Sequence, residues 1–215
     1  MLDNRLSAAA SAINKGEILL DIGADHAFLV IELVKKGIIP SGIASDLRLL
    51  PLEKGKENAA KYGISSIDFI ISDGFENIEI PFDVASICGM GGLLITDIIK
   101  KGGKKAQKKL ILQPMTAAEK LRAFLWENGY DIKNEIYAVE DCKPYAIICA
   151  EYDGMAREYS YTDTYIGKIR PSTKEFDSYK QKIRVSAQKR LRGALCTGKK
   201  VSDILRLIDE TQKTI

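Results

Sequence analysis

The stretch Glu17-Ile-Leu-Leu-Asp-Ile-Gly-Ala-Asp-His-Ala-Phe28 decides how this chain folds. Its apolar start, ending in Asp21-Ile22-Gly23, suits the first and fully covered strand of a parallel sheet. Ala24-Asp25-His26-Ala27 then turns and begins a helix at the sheet's carboxyl edge, where α/β folds hold ligands. Gly23 lets backbone approach a ligand closely, and Asp21 and Asp25 place carboxylates beside it. A dinucleotide fingerprint needs three glycines, and here Gly23 has no glycine following it at those positions. With no Gly-rich anion nest and two carboxylates present, a cationic ligand fits better than a pyrophosphate.

Upstream, Leu2, Leu6, Ala9, Ala10 and Ile13 recur at helical spacing, predicting a covering helix that Asp3 or Asn4 initiates. Downstream the pattern alternates strand and helix. The spacing predicts a strand over 18–22, a helix over 26–36 ended by Gly37, a strand over 42–46 and a helix over 49–62 closed by Gly63. Strands follow over 67–71 and 83–88, then a helix over 93–100, a strand over 110–113 stopped by Pro114, and a helix over 116–128. Two alternating runs, 130–139 and 145–152, predict an antiparallel pair at one sheet edge. The expected fold is α/β, five parallel strands plus a terminal hairpin.

Residues 156–170 are polar and tyrosine-rich and read as a linker. Helices resume after it, with Ser172-x-x-Glu175 as a capping box and Phe176, Tyr179, Ile183, Ala187, Leu191 and Leu195 along one face. Gly198 breaks this helix, and Val201, Ile204, Leu205 and Ile208 mark a second. The expected organisation is a catalytic domain over 1–155, a linker over 156–170 and a basic helical hairpin over 171–215, with Lys180, Lys182 and the other tail cations at least partly exposed.

A chain of 215 residues holds one full domain and an appendage. The composition, 46% hydrophobic and 28% charged, argues for a globular protein and against disorder. No apolar run approaches a membrane span and no secretory pattern opens the chain, so the expected compartment is the cytoplasm. Four cysteines without a CxxC pair and a single histidine assemble no zinc set, so no metal is expected. The net charge of +3 is unevenly spread: residues 171–215 carry eleven Lys and Arg against five Asp and Glu, leaving the rest of the chain at −3. Charge alone reads as a solvated helix face; a polyanionic partner is the sharper alternative.

Acids and glycines gather at the predicted strand ends: Asp21-Gly23-Asp25, Asp46, Asp73-Gly74 and Gly89-Gly91-Gly92. Any one Asp-Gly is a turn or a cap, but the four together favour a nucleoside pocket. Asp46 stands near the spacing from Asp21 at which an acid on the second strand reaches ribose hydroxyls, and Asp73 can accept from an adenine amine.

The segments Asp21-Ile-Gly-Ala-Asp-His-Ala27, Ser72-Asp-Gly74, Cys88-Gly-Met-Gly-Gly92, Leu110-Ile-Leu-Gln-Pro114 and Lys143-Pro-Tyr145 together resemble the bacterial tRNA (adenine(22)-N1)-methyltransferase family, across about residues 1–170. That resemblance implies a class I, Rossmann-like methyltransferase fold: a mostly parallel seven-stranded sheet with helices on both faces, plus the C-terminal helical hairpin. It implies S-adenosyl-L-methionine as cofactor, held by Asp21, Gly23, Asp25, His26, Asp46, Asp73, Gly74, Gly89, Met90 and Gly91. It implies tRNA as partner, with Gln113, Pro114, Lys143 and Tyr145 holding the base, to which the basic tail adds Lys189, Arg190 and Arg192. Three departures stand out: Met115 where the family usually has Asn, Ser45-Asp46-Leu47-Arg48 where it more often has Glu and a Gly-Pro, and a C-terminal helical part that is short.

Adenine N1 carries an in-plane lone pair and no proton, so displacement of a sulfonium methyl needs positioning and electrostatics rather than a general base. Asp25 is the expected catalytic residue, stabilising charge on the adenine ring, with a helix cap as its plainer role. His26 is expected to pack or hydrogen-bond, Cys88 to be a buried strand residue, and Met90 to wall the cofactor. The Lys-rich stretch over 100–109 is either an exposed loop or a phosphate anchor near the active-site edge. The competing expectations are a methyltransferase for another RNA or a small molecule, and a non-catalytic RNA-binding protein that keeps the cofactor fold.

Overall fold

The computed structural model describes residues 2–197 and 201–212, without the side chains of 195–197. Lys199, Lys200 and Gly198 lie outside the described residues. The elements follow in the order α1 (Asn4–Ala10), β1 (Leu19–Ile22), α2 (Phe28–Lys35), β2 (Gly42–Asp46), α3 (Leu49–Lys61), β3 (Ile67–Ile71), β4 (Val84–Gly91), α4 (Gly92–Gly102), β5 (Lys109–Thr116), α5 (Ala118–Glu127), β6 (Tyr130–Glu140), β7 (Lys143–Tyr152), α6 (Tyr161–Ile166), α7 (Lys174–Thr197) and α8 (Ser202–Gln212). Asp3 caps α1, its carboxylate accepting from the Leu6 amide at 2.6 Å.

The seven strands run β3-β2-β1-β4-β5-β7-β6, parallel except where β7 meets β5 and β6. From β1 the chain first winds outward through β2 and β3 and then crosses to β4 on the other side. The sheet's topological switch point therefore lies between β1 and β4, where α/β sheets open a crevice beyond the strand ends. Register brings those ends level: Ile22 pairs with Ser45 and with Ile87, and Cys88 with Gln113. Both faces are covered. Leu20, Ile22, Ile43 and Ile87 pack with Ile95, Ile98 and Leu121 of α4 and α5; Leu19, Ala44 and Val84 pack with Ala9, Val30, Leu33 and Ala59 of α1 to α3.

The structure departs from the sequence reading in several places. Pro114 does not stop β5, which runs on to Thr116. Pairing with β7 has ended at Leu112 and a register shift lies on the β4 side, so a residue without an N–H costs the ladder little here. The joint between β6 and β7 is a two-residue turn, Asp141 and Cys142, both at positive φ, which lengthens both strands. Residues 161–166, read as part of an irregular linker, form a helix capped reciprocally by Ser160 and Asp163. Thr173, not Ser172, accepts from the first turn of α7, through the Phe176 amide. In α8 Ile204 and Ile208 of the expected stripe pack inward, but Leu207 is buried in place of Leu205, which is half exposed, and Lys180 is buried.

The helical hairpin does not stand off from the rest. Phe176 and Tyr179 of α7 pack on Tyr137 and Ala146 of β6 and β7, and Ala187 and Leu207 enclose Ile166 of α6. Beneath them lies a pair that sequence reading missed: Arg122 of α5 and Glu135 of β6, both buried, with Nε to Oε1 at 2.7 Å. Arg122 Nη1 also donates to the carbonyls of Thr164 and Tyr165, tying α6 to α5.

Candidate active site

A cleft of about 330 Å³ opens at the switch point, lined by Asp21, Gly23, Ala24, Asp25, Asp46, Cys88, Gly89 and Met90, with Arg5 and Leu6 of α1 and Arg48 closing its rim. The turn that forms it is pinned: Gly23 and Ala24 amides both donate to the Ser45 carbonyl, at 2.8 and 2.9 Å. Gly23 stands at φ +71, and a Cβ there would overlap the Met90 methyl, so backbone and thioether meet as opposite walls.

Asp21 is buried and accepts from Ser86 Oγ at 2.6 Å; burial raises its carboxyl to about 7, against the pull of that hydrogen bond. Asp46 is buried and accepts from the Arg48 amide at 2.9 Å through Oδ1. Asp25 is exposed at φ +48, a left-handed conformation that Asp adopts more readily than most residues. The capping role weighed for Asp25 is not seen, because α2 begins after Ala27 and has no side-chain cap. Its carboxylate lines the cleft, 3.8 Å from His26 Nε2. His26 itself lines the neighbouring groove with Leu49, Leu50 and Lys54 and tilts against Phe28, the packing role expected of it.

Four residues expected at the cofactor do not line the cleft: His26, in the neighbouring groove, and Asp73, Gly74 and Gly91. Asp73 is paired with Lys101 at 3.1 Å; Gly74 turns the chain at φ +61 against Ile98; Gly91 precedes α4, facing Thr116. Gly92 is packing: a Cβ would lie 2.5 Å from the Ala117 carbonyl oxygen. Cys88 is partly buried, and burial pushes its thiol up.

Gln113, expected to hold the base, is fully buried in this structure, and its amide oxygen accepts from Arg5 Nη1 at 2.7 Å and from the Gly89 amide at 3.0 Å, so it braces the far wall of the switch-point cleft. Arg5, which sequence reading placed in a covering helix, is thereby part of the site. No local pattern marks it, since its partner lies more than a hundred residues away.

A second cleft, of about 310 Å³, runs between the end of β5 and α7. It brings together Pro114, Tyr145 and Arg190 from the expected substrate set and adds Tyr165, Tyr179, Lys182 and Ser186. Lys143 borders a continuing groove with Met115, Tyr145 and Lys182. Lys189 and Arg192 are exposed on α7 outside it. Of the Lys-rich stretch, Lys109 enters β5 level with Val84 at the strand starts, away from the cleft, and Lys101, Lys105 and Lys109 are engaged by Asp73, Glu79 and Glu17. Among the described residues no group of three or more His, Cys, Asp or Glu side chains could hold a metal ion, and no helix is long and apolar enough to cross a membrane.

Comparison with known proteins decides the family. Residues 2–148 match the family described as "Methyltransferase domain". The chain is 34% identical over 166 residues to the tRNA (adenine(22)-N(1))-methyltransferase of Bacillus subtilis, covering 72% of this chain and 70% of that protein. The chain belongs to that methyltransferase family. The crystal structure of the B. subtilis m1A22 tRNA methyltransferase TrmK superposes at TM-score 0.80 with 26% identity, covering 99% of this chain and 94% of that one. The structure of Mycoplasma capricolum TrmK, described as "M. capricolum TrmK in complex with the natural cofactor product S-adenosyl-homocysteine", superposes at 0.83 with 28% identity, covering 97% and 98%. Those superpositions extend through the helical hairpin, so the C-terminal part of this methyltransferase is not short beside theirs, as the sequence had suggested.

Proposed function

We propose that this methyltransferase transfers the methyl group of S-adenosyl-L-methionine to N1 of adenine 22 in tRNA. The observation that carries this reading is a carboxylate-lined, phosphate-unfriendly cleft at the switch point in a chain of this family. Its residues fit the cofactor. Asp25 offers anionic oxygens to an amine or a sulfonium, Asp21 a carboxyl that a cationic ligand would hold ionised, Asp46 keeps an oxygen free for a diol, and Gly23 and Gly89 at positive φ leave room for backbone contact. The cofactor supplies an electrophilic methyl; the chain supplies place and charge.

Asp25 is the group best placed to act on the incoming adenine. It is exposed at the cleft, carries no capping hydrogen bond, and accepts readily from an exocyclic amine. As N1 becomes alkylated the ring turns cationic, and a carboxylate at its edge stabilises that charge. Pro114 and Tyr145 border the side from which the base enters, and Lys143, Lys189, Arg190 and Arg192 present cations to the RNA backbone. Extruding adenine from a structured RNA takes a few kcal/mol, offset by such phosphate contacts. With tRNA as substrate, the cytoplasm is the working compartment.

The test is transfer of labelled methyl from S-adenosyl-L-methionine to unmodified tRNA, followed by nucleoside analysis. N1-methyladenine is the expected product; label in another nucleoside, or none with the cofactor demonstrably bound, would point to a different acceptor.

A further inference from the structure

Arg190 is held in an unusual way. Its guanidinium lies over the Tyr165 ring, 4.3 Å from the centroid, and Nη1 donates to the hydroxyls of Tyr165 and, at 3.3 Å, Tyr161. Its Nε and Nη2 are buried and have no hydrogen-bond partner. These two donors are closed off from solvent, and among the described residues no carboxylate is paired with Arg190, so its charge is left uncompensated beside the cleft it lines.

The cavity is the cleft between the end of β5 and α7. Lys182, Ser186 and Arg190 stand four residues apart along α7, one stripe about 12 Å long at 1.5 Å per residue. Lys182 lies over the Tyr145 and Tyr179 rings and spends one donor on the Pro144 carbonyl at 2.9 Å. Two cations thus face one carboxylate in the lining, Glu119. The same cleft is floored by Pro114 and Thr116, directly after Gln113, which braces the cofactor cleft. An anion bound here would sit beside the reacting base.

We infer that this cleft is a phosphate clamp, in which the Lys182 ammonium and the charge of the tyrosine-held Arg190 guanidinium hold the RNA backbone flanking the methylated adenine. The inference rests on the reading of tRNA as substrate. It also explains what α6 contributes, because Tyr161 and Tyr165 hold Arg190 in place and Arg122 in turn holds the Tyr165 carbonyl at 3.1 Å. It separates Arg190 from Lys189 and Arg192, whose exposed side chains add only diffuse attraction.

Binding of unmodified tRNA by the full chain, with S-adenosylhomocysteine present, is measured between about 50 and 200 mM KCl for wild type, Arg190→Gln, Lys182→Gln and Tyr165→Phe. Each lost phosphate contact lowers the slope of log affinity against log salt by about 0.7–0.9. Arg190→Gln and Lys182→Gln are expected to lower it by that amount and to weaken binding about tenfold, with cofactor-product affinity and melting temperature retained. Tyr165→Phe keeps the ring and is expected to weaken binding less, with the slope unchanged. A weaker Arg190→Gln with the wild-type slope would make Arg190 a packing residue and overturn the clamp. Wild type that binds no tRNA at any salt would overturn both the clamp and the substrate reading, whereas wild-type binding with unaltered variants overturns the clamp alone.

Discussion

Ser86 Oγ donates a 2.6 Å hydrogen bond to Asp21 Oδ1 at the floor of the cofactor cleft, and this is the hydrogen bond that holds a carboxyl whose pKa burial has raised to about 7. A raised acid binds more protons folded than unfolded. Its penalty is absent below the ordinary carboxylate range, grows as pH rises from about 4 to about 7, and is constant above. The ligand-free protein is therefore expected to lose stability between about pH 4 and 7, by up to about 4 kcal/mol at about 1.4 kcal/mol per unit. Asp21→Asn flattens that dependence. Thermal unfolding of both proteins across this range checks it, and parallel curves would show that Asp21 is ionised in the fold throughout.

Because Gln113 accepts from both Arg5 and Gly89, it couples α1 to the β4 turn. Gln113→Ala is expected to weaken S-adenosylhomocysteine about tenfold in calorimetric titration, and Gln113→Glu, which retains an acceptor, to recover most of the loss. Lost tRNA affinity with cofactor binding intact would return Gln113 to the substrate side.

Arg122 and Glu135 are buried together, so removing one leaves the other's charge stranded. Arg122→Leu is expected to cost about 3–5 kcal/mol, and the double change to Leu at both positions to cost less than either alone. Gly167 shows how closely the pair is enclosed: it sits at φ +74, and a Cβ there would overlap Glu135 Oε2. Gly167→Ala is expected to destabilise by at least about 2 kcal/mol in denaturant titration.

The sheet was legible because its strands are short apolar runs punctuated by glycines; the bounds of β2 and β3 agree residue for residue with the expectation. The cofactor turn was legible for the same reason, its acids and glycines being local to strand ends. What escaped was non-local. Arg5 reaches Gln113 across more than half the chain, and Arg122 meets Glu135 from an adjoining strand inside a segment patterned like any amphipathic helix. The α6 helix is six residues long, too short for periodicity to register. An Asp-Gly at a strand end reads alike whether it holds a ligand or a lysine, so the pairing of Asp73 with Lys101 was not legible. Charge singled out Arg190 in the sequence; the two tyrosines that hold it carried no such signal.

In the proposed mechanism Asp25 is the residue that stabilises the alkylated adenine. Asparagine also accepts its left-handed backbone, so Asp25→Asn removes charge without disturbing the turn. At saturating cofactor it is expected to lower kcat by about 10²-fold, beyond any loss of cofactor affinity. Turnover within about threefold of wild type would assign charge stabilisation elsewhere.

In the proposed reaction the in-plane lone pair of one ring nitrogen takes the methyl group. Two unmodified tRNAs differing only at position 22, adenine in one and 1-deazaadenine in the other, place that lone pair under direct control. Labelled methyl is expected to enter the first and not the second, with both RNAs bound equally. Equal incorporation into both would contradict N1 as the acceptor.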